Sequence, residues 1–275
     1  MGRFWSLLFL LVPVLGVASF AVAPLYNHWL PRDISQHGHV IDHLFYFILW
    51  LTGAVFVATE VVLFWFLWRY DSKGHTNPVK YTHGSHSLEI IWTIVPMAIL
   101  LFIAIYQMNA WAASKIDNPA AGPDGIFGTA DDMRPTLEVT ARQFEWRLRY
   151  PGLKAEGRLG DPDDIFVVND LHLPVNEEIL IDLKSADVLH SFFLPNMRVK
   201  QDAVPGMKIP VWFRATETGQ FDIVCAELCG WGHYKMKGRV TVESREDFDK
   251  WLERKYREQE TTQDPQLAEK KDSSE

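Results

Sequence analysis

Two long apolar runs constrain this chain more than anything else in it: Leu44 to Trp68 and Leu88 to Tyr106. Each falls in the range of roughly 17–25 residues that a helix needs to cross the hydrocarbon of a bilayer. Inside lipid every backbone N–H and C=O must find its partner within the segment, so both runs are predicted to be transmembrane helices. The stretch between them, Arg69 to His86, carries Arg69, Lys73 and Lys80 against one acid, Asp71. That excess of base places the stretch on the cytoplasmic side and everything after Tyr106 on the outer side.

An earlier apolar run, Phe4 to Ala23, follows Arg3 and precedes Pro24. It reads either as a signal peptide with an Ala21-Val22-Ala23 cleavage pattern or as a further membrane helix. Both readings leave the C-terminal part outside. Glu60 lies within the Leu44 to Trp68 run, where a carboxyl is costly unless it faces protein or water. The expectation there is packing against a partner helix or a place near the interface, ahead of a proton relay.

From Asn109 to Arg134 the composition shifts to Pro, Gly, Asp and Ala. The Asp and Gly residues between Gly122 and Asp132 lack the spacing and final glutamate of an EF-hand loop, so the segment reads as a solvated linker. After Pro135 come short β-type runs: Thr136 to Thr140, Phe144 to Tyr150, Ile165 to Val168, Ile179 to Leu183, Ile209 to Ala215, Phe221 to Val224 and Gly238 to Val242. Turn signals separate them, and the pattern predicts a β-sandwich or barrel of about a hundred residues. Ser244 to Tyr256 is predicted to be an amphipathic helix, with Phe248, Trp251, Leu252 and Tyr256 at helical spacing. From Arg257 the residues are charged and poor in hydrophobics, and the expectation is disorder. The division is therefore 1–24, 42–108, 109–134, 135–243 and 244–275, a membrane-anchored all-β chain with an N-terminal helical hairpin.

A formal net charge of −8 argues against nucleic acid and permits a basic protein partner. Asp161, Asp163, Asp164, Asp170 and Asp187 are the candidates for an acidic docking cluster. The two cysteines stand in one twelve-residue stretch, Cys225-Ala226-Glu227-Leu228-Cys229-Gly230-Trp231-Gly232-His233-Tyr234-Lys235-Met236. A disulfide between Cys225 and Cys229 is the plain alternative to a metal site. Thiolate, imidazole and thioether together are what copper selects, and His190 upstream, in Val188-Leu189-His190-Ser191-Phe192, adds a second imidazole. His28, His37, His39, His43, His75, His83, His86 and His172 do not share this pattern. With its thiols and imidazoles taken as copper ligands the motif leaves no free nucleophile, which points to electron relay rather than bond-making chemistry.

At these residues the chain resembles subunit II of the haem-copper cytochrome c oxidases. The resemblance runs from about Asp42 to Val242 and includes Glu89-Ile90-Ile91-Trp92-Thr93-Ile94-Val95-Pro96 and Asp202-Ala203-Val204-Pro205-Gly206. It implies a cupredoxin-like Greek-key domain with two copper ions, the dinuclear copper A centre, bridged by Cys225 and Cys229. His190 and His233 would be terminal ligands, with Met236 and the carbonyl of Glu227 as weak axial ones. The Glu227 side chain would help hold magnesium or manganese shared with subunit I, and Glu89 would stand at the mouth of a proton path. The implied partners are subunit I, other oxidase subunits, the lipid bilayer and cytochrome c as electron donor. The implied location is a bacterial plasma (inner) membrane with the copper domain on the outer face. One departure matters: where the family has a tryptophan through which electrons enter, this chain reads Gln143-Phe144-Glu145-Trp146, leaving Phe144 and Trp146 as candidates. The alternatives are a copper A subunit of a nitric oxide reductase and a membrane-anchored copper-delivery or thiol-redox protein.

Overall fold

The computed structural model describes residues 3–26, 29–70, 81, 83–116, 119–125, 129, 131–154 and 157–263. It divides into two compact units, residues 1–31 with 40–110, and residues 32–39 with 111–275. The basic residues Lys73 and Lys80, with Asp71 and His75, lie outside the described residues, as do His28 and the tail from residue 264.

The first unit is helical. Helix α1 spans Arg3–Val22, α2 spans Gly38–Arg69 and α3 spans His86–Tyr106. The last two are long and apolar enough to cross a membrane. Helix α2 starts six residues before the apolar run, because helix geometry continues into polar His39, Asp42 and His43 where hydropathy does not. Hydroxyls in these helices find partners without leaving the segment: Thr52, Thr59 and Thr93 each donate to the carbonyl four residues back, at 2.8–3.0 Å. Phe47 of α2 lies 6.1 Å from Phe102 and 5.0 Å from Tyr106 of α3, closing the hairpin with aromatic contacts. Glu60 is partly shielded on α2. A short helix, α4 (Met108–Lys115), opens the stretch read as a linker, which is therefore structured at its start.

The second unit is a sandwich of two five-stranded sheets. Its strands are β1 (Leu137–Arg142), β2 (Glu145–Tyr150), β3 (Ile165–Val168), β4 (Asp170–Pro174), β5 (Glu178–Ser185), β6 (His190–Leu194), β7 (Val199–Ala203), β8 (Ile209–Arg214), β9 (Gly219–Cys225) and β10 (Lys237–Glu243). The orders are β3-β2-β1-β5-β8 and β4-β10-β9-β6-β7. Pairing is antiparallel except for β1 with β5 and β10 with β4. Alternation builds the core: Leu137, Val139 and Ala141 of β1 face inward and share one buried cluster with Phe192 of β6 and Val240 and Val242 of β10. Trp146 is wholly buried and meets Phe192 of the other sheet edge to face, ring centroids 5.4 Å apart. Such a pair adds about 0.5–1.5 kcal/mol beyond the area it buries.

Strands β4, β6 and β7 were not among the expected runs. β7 is a polar edge strand, Val-Lys-Gln-Asp-Ala, that pairs only with β6, and an edge needs little apolar alternation. Residues 32–39 belong to this unit too: Ile34 is wholly buried, its N–H donating to Asn196 O (2.9 Å) and its C=O accepting from Thr216 N–H (2.8 Å).

Helix α5 runs Arg245–Gln263, seven residues past the predicted end. Ser244 caps it, accepting from Asp247 N–H at 3.1 Å and donating to the Asp247 carboxylate at 2.7 Å. Phe248 and Trp251 are buried, with Trp251 stacked on His172 at 4.0 Å and edge-on to Tyr150. The expected disorder from Arg257 is corrected as far as Gln263. The Gln259 side chain clamps β3 by donating to Asp164 O (2.7 Å) and accepting from Phe166 N–H (3.0 Å). Polar contacts made on folding can hold such a turn although its composition buries little.

Candidate metal centre

Adjacent strands of the second sheet bring the proposed donors together. Cys225 closes β9 opposite Phe192 of β6, so His190, which opens β6, stands on the neighbouring strand. The ladder then passes into the loop: Ala226 N–H donates to Ser191 O at 3.0 Å, and Cys225 N–H donates to Met236 O at 3.1 Å. That last bond ties the two ends of the twelve-residue stretch. A turn at His233–Lys235 lets the chain re-enter the sheet as β10.

Six donor groups converge there. The two thiol sulfurs lie 3.8 Å apart; Cys225 Sγ is 3.9 Å from His190 Nδ1 and 3.2 Å from the Glu227 carbonyl oxygen. Cys229 Sγ is 3.7 Å from His233 Nδ1 and 3.8 Å from Met236 Sδ. Donors about 2.3 Å from one metal at a tetrahedral angle stand about 3.8 Å apart, so the spacing suits bound metal. The cysteines are free thiols, not the disulfide that their spacing allowed. His190, Cys225, Cys229 and Met236 are all buried, so water does not compete freely for the site.

Burial and the neighbouring Cys225 sulfur push the Cys229 thiol up to about 11. Two thiolates cannot share this pocket alone, and a cation that replaces their protons resolves the conflict. The imidazole of His190 is oriented from behind: its Nε2 lies 2.8 Å from Asp187 Oδ1. Asp187 also accepts from Gln143 N–H at 2.8 Å and Val188 N–H at 2.7 Å. Burial tends to raise the Asp187 carboxyl, but these hydrogen bonds outweigh it and the net shift is downward. An ionised carboxylate only accepts, so Nε2 carries the His190 proton and Nδ1 turns its lone pair toward Cys225.

Asp187, a candidate for the acidic docking cluster, is exposed and also holds His190. Asp164 is a correction to that cluster: it is wholly buried and paired with Arg149 at 2.5 Å. Trp146 has no exposed face for a donor, since it packs between the sheets 6.4 Å from the His190 ring. Phe144 reaches the ligand loop and meets Trp231 with ring centroids 5.2 Å apart. Glu89 lies in the first turn of α3 beside His86 at 3.3 Å, in the other unit. The Glu227 side chain is half-buried, and among the described residues no carboxylate cluster forms around it. His172 takes part in a separate cluster, its Nδ1 2.7 Å from Glu243 Oε1 and its Nε2 3.5 Å from Asp170 Oδ2.

Comparison with known proteins matches two family profiles. Residues 154–244 fit "Cytochrome C oxidase subunit II, periplasmic domain", and residues 26–110 fit the transmembrane domain of the same subunit. The alternative cytochrome c oxidase subunit 2 of Bradyrhizobium diazoefficiens is 31% identical over 254 residues, covering 83% of this chain and 85% of that one. Cytochrome c oxidase subunit 2 of Cereibacter sphaeroides is 31% identical over 235 residues, covering 75% and 73%. Among solved structures, the periplasmic domain of subunit II of cytochrome oxidase of Bradyrhizobium japonicum is 29% identical with a TM-score of 0.41, covering 47% of this chain and 99% of that one.

Proposed function

Because the chain belongs to the cytochrome c oxidase subunit II family, and so serves an oxidase complex as a membrane-anchored subunit, we propose that His190, Cys225, Glu227, Cys229, His233 and Met236 hold two copper ions. The thiolates of Cys225 and Cys229, the imidazoles of His190 and His233, the Met236 thioether and the Glu227 backbone carbonyl would be the groups that hold them. The observation that carries it is the ring of six donor groups, each 3.2–3.9 Å from a cysteine sulfur. Bound copper supplies a one-electron store. The chain's own part is to keep the ligands from moving as charge changes: β6 and β9 fix His190 and Cys225, Asp187 fixes the imidazole, and burial keeps water out. The donor would be a cytochrome c and the acceptor the haem-bearing subunit I. The Glu227 carboxylate is free to contribute to a magnesium or manganese site completed by that subunit, and Glu89 to a proton path. The location would be a bacterial plasma membrane with the sandwich on its outer face.

Metal analysis and electron paramagnetic resonance of the purified full-length chain test this reading. Two tightly held coppers per chain and one unpaired electron shared over both are expected, and Cys229→Ser should abolish the shared signal. A single exchangeable copper would point to copper delivery instead. An unchanged signal in Cys229→Ser would remove Cys229 from the set of ligands.

A further inference from the structure

The ligand loop turns a crown of apolar side chains outward. Leu228, Trp231 and Tyr234 are 76%, 80% and 67% exposed, whereas Cys229 and Met236 between and after them are buried. Clustered exposed apolar surface of this kind marks an interaction site more often than isolated residues do. Trp231 is its centre, two residues after Cys229 and two before His233. A single glycine therefore separates the indole from a donor residue on either side.

Both glycines are required by what lies beneath them. A Cβ on Gly230 would come within 2.8 Å of Gln143 Nε2 and 3.2 Å of the Phe144 ring; on Gly232 it would come within 2.5 Å of Phe144 Cδ2. Gly230 also has φ of +132°, which side-chain-bearing residues rarely adopt. Phe144 thus lies against the loop backbone, and Trp231 packs edge-on upon it at 67°. The Gln143 amide donates to Cys229 O and holds the same stretch. The indole is exposed, yet it rests on a fixed support. Lys235 adds the one charge of this crown, its ammonium 6.0 Å from the Trp231 ring and 5.5 Å from the Tyr234 ring.

We infer that Trp231 is the contact through which a haem-bearing one-electron carrier reaches the metal site, an inference that rests on the copper reading above. The occupant follows from the shape and charge of the crown. An indole and a phenol offer flat, polarisable surface that suits the edge of a macrocycle, and Lys235 offers a cation to a carboxylate on the carrier, whether a haem propionate or an acidic side chain. One electron leaves the ferrous haem, which becomes ferric, and is taken up at the Cys225 and Cys229 site. No covalent bond forms or breaks, and no proton moves. Phe144 is then the support of the contact, and Trp146, buried in the core, has no share in it.

The test uses the assembled oxidase complex carrying Trp231→Ala, Trp231→Phe or Lys235→Gln, reduced in stopped flow by a soluble ferrous c-type cytochrome. Trp231→Ala should slow reduction at least tenfold while copper content and optical spectrum stay unchanged, and Trp231→Phe should recover part of the loss. Lys235→Gln should weaken the dependence on salt. A second readout needs no turnover: titration of the copper-free full-length chain with ferric cytochrome should show Trp231→Ala binding at least fivefold more weakly. Reduction of Trp231→Ala at the wild-type rate would overturn the inference. So would loss of the haem subunit from that variant on purification, because the indole would then be an assembly contact. A wild-type complex that lacks the copper pair would defeat the metal reading itself, and metal analysis separates that result from the others.

Discussion

Replacing Asp187 by alanine removes the acceptor behind His190, and the structure sets the size of the effect. Three N–H groups lose a partner: His190 Nε2, the Gln143 amide and the Val188 amide. The two backbone groups lie in exposed surroundings where water replaces the carboxylate. The imidazole is wholly buried and has no such recourse. A buried donor left unmade costs about 1–3 kcal/mol. Loss of an outer partner of a metal-bound histidine typically weakens metal affinity about 10–100-fold, which is about 1.4–2.8 kcal/mol. The two routes agree in size, as they should if both measure the freedom the ring gains. Competition of the full-length chain against a copper chelator should show that loss in Asp187→Ala. Asp187→Asn, which keeps an oxygen for Nε2 but turns N–H groups toward a backbone donor, should lie between alanine and wild type. Copper affinity of Asp187→Ala within twofold of wild type would refute the reasoning.

Two predictions concern the docking of α5. Trp251→Ala should lower stability by about 3–5 kcal/mol, the range for deleting a buried large aromatic, because Trp251 fills the space between His172, Tyr150 and Phe248; a melting temperature unchanged by the substitution would show that the helix does not need it. Tyr150 makes two hydrogen bonds with one residue, donating to His172 O at 3.0 Å and accepting from His172 N–H at 2.9 Å. Burial raises its phenol above the ordinary tyrosine value, with the His172 backbone N–H pulling the other way. A raised folded pKa means that its contribution is whole below about pH 10 and lost as pH rises beyond it, by up to about 1.4 kcal/mol per pH unit. Alkaline unfolding of Tyr150→Phe should lack that slope and begin from a stability lower by about 1–3 kcal/mol; identical pH profiles would count against it.

The membrane helices were legible because lipid leaves a segment no alternative to helix and apolar side chains, a constraint visible residue by residue. The donors were legible for a related reason: few side chains bind copper, and five of the six proposed ligands stand in one stretch. What escaped was anything defined by neighbours distant in sequence. Asp187 gives no hint in the chain that it also receives the N–H of Gln143, 44 residues earlier, and so is fixed behind His190. Phe144 and Trp146 share one short segment, yet Trp146 lies on the inward face of β2 while Phe144 belongs to the turn before that strand, where the pleat does not set its direction, and rests against the loop. Ile34 comes just before a membrane helix, and its place in the sandwich follows from hydrogen bonds to Asn196 and Thr216. Gln259 extended a helix by a contact that composition cannot express.

The position of β10 has a consequence for the order of events during synthesis. β10 is the last strand to leave the ribosome, yet it lies inside its sheet, between β4, which precedes it by more than sixty residues, and β9. Until Glu243 has emerged, β4 has no ladder partner in that sheet, and Met236 O is not yet in place to receive the Cys225 N–H. Nascent chains fold from the N-terminal side as early segments find partners; in this sheet β6 can pair with β7 and then β9, but β4 must wait for β10. The donor ring therefore comes into being in one late step rather than by accretion, and a chain crossing a membrane as it is made would meet its metal only after the whole sandwich had arrived on the far side.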